Sequence, residues 1–344
     1  MKKIENKLVF SPKFKRNFVI TISVLLILAL IVFLVVKDIY VVPENYTQEK
    51  KYSLNLENYS LFKEKTKTYT IIPGIKQGQI PQGITYSNKY DVMITSGYHK
   101  GTAPSVLNII DYKTGEYQKS IQLLYKGESS KAHVGGITTD NETVWIVSDN
   151  FLYKVSLNDL VNKENMSEIE MELEKELNQR ADFCTYHNGI LWIGEFFQNS
   201  KYKTEESHHL KLNDEEVNKA FLVGYKNMKA KYILSIPEKI QGLAFTDNEI
   251  ILSQSYGGRT SSHLLFYQNP MANEKDTVFE FKDKKIPVWY LGKKQLNKDI
   301  LMPPMSEEIV NVENNLYILF ESASNLYQTY ALDKVDTILK YCLK

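Results

Sequence analysis

Between Phe18 and Val36 the sequence reads FVITISVLLILALIVFLVV, 19 residues without a charge, a Pro or a Gly. As a helix rising about 1.5 Å per residue, that run just crosses a hydrocarbon layer about 30 Å thick. From about residue 67 the pattern changes to short alternating apolar runs broken by Asn, Asp and Gly, which predicts strands joined by tight turns. Residues 38–66 lie between the two patterns, are mostly polar, and read as a stalk. The predicted layout is a tail over 1–17, a membrane span over 18–37, the stalk, and an all-β domain over 67–344.

The alternating part repeats itself. QGITYSNKYDVMITSGY from Gln82, HVGGITTDNETVWIVSDN from His133 and ADFCTYHNGILWIGEFF from Ala181 share one plan with IQGLAFTDNEIILSQSYGG from Ile240 and SEEIVNVENNLYILFESAS from Ser306. Each has a small or polar start, a strand, a tight turn, and a strongly apolar strand that ends in polar residues. The turns SNKYD, TDNET, YHNGI, TDNEI and VENNL fall at one place in every unit, and Asn suits them because it tolerates left-handed backbone. SVLNIIDYKTG, NFLYKVSLND, HHLKLND and SHLLFYQNP read as third strands. Units of about 46 to 67 residues built from four antiparallel strands predict a β-propeller. Five units mean five blades, or six if the early strand KTYTIIPG belongs to a degenerate blade; the preferred reading lets that strand complete the last blade. A β-sandwich is the competing architecture. Residues 159–180 break the pattern and predict an inserted helix or a polar outer strand.

Charge orients the anchor. Lys2, Lys3, Lys7, Lys13, Lys15 and Arg16 precede the apolar run against Glu5 alone, so the positive-inside rule places the tail in the cytoplasm and the bulk outside. The run is too long for the core of a signal peptide and lacks an A-x-A-like site. The expected localisation is therefore a single-pass protein of the cell membrane. A net charge of +1 gives no electrostatic case for nucleic acid. The 23 Tyr and 15 Phe favour strands. Cys184 and Cys342 are the only cysteines, open to pairing or to remaining free.

Propeller geometry converts the repeats into a site. Loops that lead into the innermost strand, and those that leave the second, crowd round one mouth of the central channel. The first set brings Gln82, His133, Asp182, Gln241 and Glu308; the second brings Tyr98, Asp149, Glu195, Gln254, Tyr256 and Glu321. Arg259, in the loop YGGRTSS, is suited to a carboxylate or phosphate. The ligand-binding expectation comprises Gln82, Tyr98, His133, Asp149, Gln241, Gln254, Tyr256, Arg259 and Glu321. Asp182, Glu195 and Glu308 are the expected metal set, whose oxygen chemistry suits Ca²⁺. Adjacent His208 and His209 cannot chelate together from one strand and are expected to be exposed. No nucleophile elbow, phosphate loop, dinucleotide fingerprint, EF-hand or haem motif is present.

The phrases PQGIT, HVGGIT, LWIGEF, IQGLAF, LSQSYG and PPMSEEI resemble a group of bacterial membrane-anchored propeller proteins. That group is distantly similar to the gluconolactonase and strictosidine-synthase-like superfamily. The resemblance spans roughly residues 70–340 and implies a propeller. For hydrolase members it also implies a central divalent cation held by an acid and an amide, with Glu308, Asp182 and Glu195 in the acidic roles here and no residue matched to the amide. The expected function is a membrane-tethered extracytoplasmic propeller that binds a small polar ligand or an envelope protein at its mouth. A calcium-dependent hydrolase of a lactone, phosphoester or glycan, and a structural docking module, are the alternatives.

Overall fold

The computed structural model describes residues 12–37 and 43–344, except 200, 214–215 and 282–283. Among the described residues, five sheets form the blades of a propeller, each built on four antiparallel strands, and the first and third blades carry further strands at their outer edges, Glu168–Glu170 and Lys284–Tyr290 joining them in parallel. From the axis outward, the first blade runs Ile80–Ser87, Val92–Tyr98, Val106–Asp111, Tyr117–Tyr125. The second runs Gly136–Thr139, Thr143–Ser148, Phe151–Ser156, Glu172–Glu176, and the third Phe183–His187, Ile190–Gly194, Ala220–Lys226, Lys229–Ile236. The fourth is Ile240–Phe245, Glu249–Gln254, Ser262–Gln268, Leu296–Met302. The fifth takes Ser306–Val312, Asn315–Phe320 and Thr337–Cys342 from the end of the chain, and its outermost strand, Thr66–Ile71, from the beginning. The ring is thereby closed by the early strand, as the KTYTIIPG reading required.

Each innermost strand packs against those of both neighbouring blades. Inner strands are consequently buried on both faces, and second strands such as Val92–Tyr98 are buried almost throughout. Outer strands such as Glu172–Glu176 face solvent. That gradient is why the second strand of every unit reads as continuously apolar while the fourth hardly reads as a strand. The tight turns adopt left-handed backbone at Asp91, Asn141, Asn188 and Asn314.

Several segments differ from expectation. The third strand of the third blade is Ala220–Lys226, and HHLKLND instead begins on the last residue of a short 3₁₀ turn, Glu206–His208, and supplies one side, Leu210–Lys211, of a two-residue hairpin. The irregular stretch after residue 156 is both a helix, Leu157–Asn162, and the outer strand Glu172–Glu176. Residues 43–65 pack along the propeller and are not a free stalk. Tyr46, Tyr59 and Phe62 are buried, and Phe62 stacks on Tyr341 at 5.6 Å between ring centroids. The Gln48 side chain donates to Thr70 Oγ1, Ile71 O and Gly115 O, tying the segment to the first and last blades. Cys184 is buried and Cys342 exposed, and both are free.

Helix α1, Pro12–Lys37, belongs to a separate unit. Its large apolar side chains between Phe18 and Ile31 are 41–66 % exposed. Among the described residues no helix is long and apolar enough to cross a membrane. Of the expected span, the side chains of 32–37 lie outside the described residues, as does most of the expected tail.

One side chain braces the ring. Glu308, on the innermost strand of the fifth blade, is fully buried. Its Oε2 accepts from the amides of Ile84 (2.8 Å) and Ile137 (3.0 Å), and its Oε1 from the amide of Cys184 (3.0 Å). These amides belong to the first, second and third blades. Burial pushes the carboxyl's pKa up and the three amides pull it back down. Space for this carboxylate is made by glycine. A Cβ on Gly136 would lie 2.7 Å from Glu308 Oε1, one on Gly83 3.0 Å from Oε2, and one on Gly242 2.7 Å from the Glu308 Cα. Glu308→Ala leaves three buried donors unsatisfied, at about 1–3 kcal/mol each. Glu308→Gln, which keeps one acceptor oxygen, is expected to lose about 1–3 kcal/mol in urea unfolding and Glu308→Ala substantially more. Equal stability of the Ala variant and the wild type would remove the bracing role.

Candidate functional site

The mouth is shaped by the way the innermost strands begin. Pairing slips between Pro81 and Ile84, between Ile240 and Gly242, and between Ser306 and Ile309. A bulge there releases consecutive residues from strict alternation and re-aims their side chains. The second of each pair forms the glycine-rich level around Glu308. The first forms a level above it: Gln82, Gly135, Asp182, Gln241 and Glu307, one from each blade. This level is the floor of a cavity of about 440 Å³.

The walls come from the second-strand exits and the loops beyond. Tyr98, Asp149, Tyr256 and Glu321 lie there as expected, and His133 faces the cavity with its ring 4.6 Å from that of Tyr98. Phe196, Lys201 and Tyr202 come from the loop after the third blade's second strand. Tyr327 and Tyr330 come from the corresponding loop of the fifth.

Two acidic groupings face each other across the floor. On one side Asp182 is held by Arg180, with Nε to Oδ2 at 3.1 Å and Nη2 to Oδ1 at 2.5 Å, and by the amide of Phe196 at 2.8 Å. Burial nevertheless raises its pKa, against the pull of Arg180. On the other side Glu307 and Glu321 act directly on each other and, buried as they are, hold on to a proton as a pair. Gln82 Nε2 donates to Glu321 Oε2 at 3.0 Å, and Gln241 Nε2 to Glu307 Oε1 at 3.2 Å. Burial and the Glu321 charge push Glu307 well above the usual carboxylate range. Burial likewise lifts Glu321 to about 8, opposed by its bonds to Glu307 and Gln82. Tyr98 and Tyr327, beside the pair, are raised by burial and by the Glu321 charge.

The remaining expected residues are placed elsewhere. Gln254 turns to the Glu238 carbonyl at 2.7 Å, and Arg259 is exposed; neither lines the cavity. The expected metal set does not assemble. Asp182 is engaged by Arg180 and Glu308 by the three amides. Glu195 is buried against His208 Nδ1 at 2.8 Å and the Phe221 amide at 3.3 Å. Among the described residues no three His, Cys, Asp or Glu side chains are grouped to hold a metal. The residues therefore do not fit the central cation that the gluconolactonase resemblance implies. His208, expected at the surface, is the buried partner of Glu195.

Glu307, Arg180, Lys201, Tyr202, Tyr327 and Tyr330 were not anticipated. A signal for Glu307 exists: aligning the five units on QGI, GGI, DFC, QGL and EEI puts Glu308 in the glycine column and Glu307 beside Gln82, Asp182 and Gln241. The tyrosines carry no comparable signal, because their loops differ from blade to blade.

The chain is thus a five-bladed propeller with a polar, aromatic-walled mouth. No family model and no curated protein matches it. Similar solved structures include the glutaminyl cyclase of Myxococcus xanthus, with a TM-score of 0.42 and 9 % identity over 74 % of this chain and 91 % of that one. A luciferin-regenerating enzyme gives 0.42 and 10 % over 76 % and 91 %. The gluconolactonase of Xanthomonas campestris gives 0.37 and 7 % over 88 % and 97 %. These likenesses are too remote to bear on the mouth.

The shared proton has a consequence for stability. The folded chain keeps a proton on the pair that an unfolded chain, with carboxyls near 4.5, has already released. Stability is therefore expected to fall as pH rises from about 5 to about 8, and Glu321→Gln to flatten that decline. Melting temperatures across this range check it; parallel curves for the two proteins would refute the shared proton.

Proposed function

We propose that the protein is a membrane-tethered, extracytoplasmic propeller that binds a small polar ligand at its channel mouth. The observation that supports this most is the cavity of about 440 Å³ to which every blade contributes. Its size lies within the usual range for small-molecule sites, about 300–1,000 Å³. Its polar groups are held in place by one another: Gln82 on Glu321, Gln241 on Glu307, and Arg180 on Asp182. Such preorganisation lowers the ordering cost of binding. A pure docking module has no need of a cavity whose polar side chains are held in place in this way. The calcium-dependent hydrolase draws no support from the acids' placement.

The tether is supported by the uncharged run in the sequence, the cations before it and the exposed apolar side chains of α1. A helix apolar all round belongs in a protein core or a membrane. Alkaline carbonate is expected to leave the protein in the membrane fraction and detergent to release it; release by carbonate alone would refute the tether.

For the mouth, the full chain in detergent is expected to gain thermal stability from at least one class among millimolar amino acids, amines, sugars and sugar acids. A ligand at a hundred times its Kd adds about 2.7 kcal/mol. The gain should disappear in Tyr256→Ala/Gln241→Ala. If no class shifts the wild type, or if both proteins shift alike, the mouth is not the binding site.

A further inference from the structure

We propose that the ligand of the mouth is an organic ammonium ion, its charge seated on the carboxyls of Glu307 and Glu321 and its carbon skeleton against the tyrosine rings around them. This rests on the ligand-binding reading above and adds the chemical class.

The first support is the balance of charge. Asp149, Asp182, Glu307 and Glu321 line the cavity against Arg180 and Lys201. Arg180 is held by Asp182 through two bonds, and Lys201 lies over the Tyr202 ring at 5.1 Å. Glu307 and Glu321, which are 2 % and 8 % exposed, have no cation among the groups acting on them. A buried carboxyl pair without a counter-ion is unfavourable unless it stays protonated or receives a cation from outside.

The second support is the wall. Tyr98, Tyr256, Tyr327 and Tyr330 come from three different blades and line the same cavity. Ring faces attract ammonium groups, most strongly where water is excluded, and also cover an alkyl chain. An anionic ligand would meet like charge on the floor. A neutral polyol would leave the pair without a counter-ion. A bare Ca²⁺ ion needs six to eight oxygens and makes no use of aromatic faces.

Seating a cation has a stoichiometric consequence. The ligand's ammonium stays charged, an O–H bond of the Glu307–Glu321 pair breaks as its proton leaves to solvent with the electron pair kept on the carboxylate, and no other covalent bond changes. Close to the pair stand Gln82, Gln241, Tyr98, Tyr327, Tyr330 and the Glu308 carboxyl behind it. Across the cavity stand Asp149, Arg180, Asp182, His133 and Lys201. The three tyrosines are raised, and the Glu308 oxygens already accept from three amides, so the released proton is taken from the pair.

Calorimetric titration of the full chain in detergent tests this, with choline and putrescine as ammonium probes, glucose as a polyol, acetate as an anion, and Ca²⁺. At least one ammonium probe is expected to bind, with a heat that varies with the buffer's ionisation enthalpy in the sense of proton release. Its affinity should rise between about pH 6 and 8, by at most about tenfold per pH unit. Glu321→Gln should weaken it at least about tenfold while retaining a cooperative unfolding transition; Glu307→Gln provides the same reading if the first variant does not fold. Binding of glucose or acetate but of neither amine would overturn the ammonium class and leave the ligand-binding mouth standing. Calcium binding lost in Glu321→Gln would replace the ammonium by a metal. If none of these probes binds, and none of the broader classes tested above does, both readings fall.

Discussion

The geometry of this propeller depends on a single buried carboxylate meeting three backbone amides. Five inner strands that converge on an axis leave donors pointing at one another's territory, and no regular ladder can satisfy them. Glu308 supplies the missing acceptor for three of those strands from a fourth position in the ring. A carboxyl is tolerated there because its oxygens are hydrogen-bonded, and buried polar groups that are satisfied rigidify what surrounds them. The glycines at 83, 136 and 242 follow from this, since each stands where a methyl group would collide with Glu308 or the strand that carries it.

The chemistry of the mouth is a by-product of the same arrangement. Once one residue of each bulged pair is committed to the axis, its neighbour is presented one level higher, at the floor of the cavity. Thus the scaffold and the site are read from adjacent residues, Glu308 and Glu307, whose environments differ sharply. The first is surrounded by amide donors. The second faces another carboxyl, and burial raises the pKa of both, with main-chain amides opposing the rise only at Glu308. Two acids side by side in sequence therefore serve unrelated ends.

Much of the architecture was legible because the repeat places strong signals at fixed positions. Asn-containing turns and continuously apolar second strands marked five units, and the orphan strand before Gln82 had an evident place in the last blade. Legibility failed where tertiary partners override local pattern. His208 reads as a surface residue until the buried carboxyl of Glu195 is placed next to it. HHLKLND has the alternation of a strand, yet AFLVGYK has the stronger apolar character that a position between two neighbours demands. Residues 43–65 read as a linker, and only Tyr46, Tyr59 and Phe62 hint that the segment is covered. At the site, strict two-residue alternation places Glu307 on the opposite side from Glu308, and the bulge removes that rule. Acids were foreseen at the mouth, but their partners were not, because a guanidinium two residues from Asp182 or a carboxyl opposite Glu307 is a fact of three dimensions.

The sharing of the last blade between the two ends of the chain bears on how the molecule comes into being. Thr66–Ile71 is made before every other blade strand, and its partner Thr337–Cys342 is made after all of them. Until then the early strand has an open edge, and the ring a gap where the core beneath Tyr317 and Tyr341 lacks a cover. Such an edge is a template for adventitious pairing, and contacts so distant in sequence slow the search for the native state. Before Thr337–Cys342 is made the chain can thus complete four blades, while the fifth keeps an unclosed seam open to such pairing.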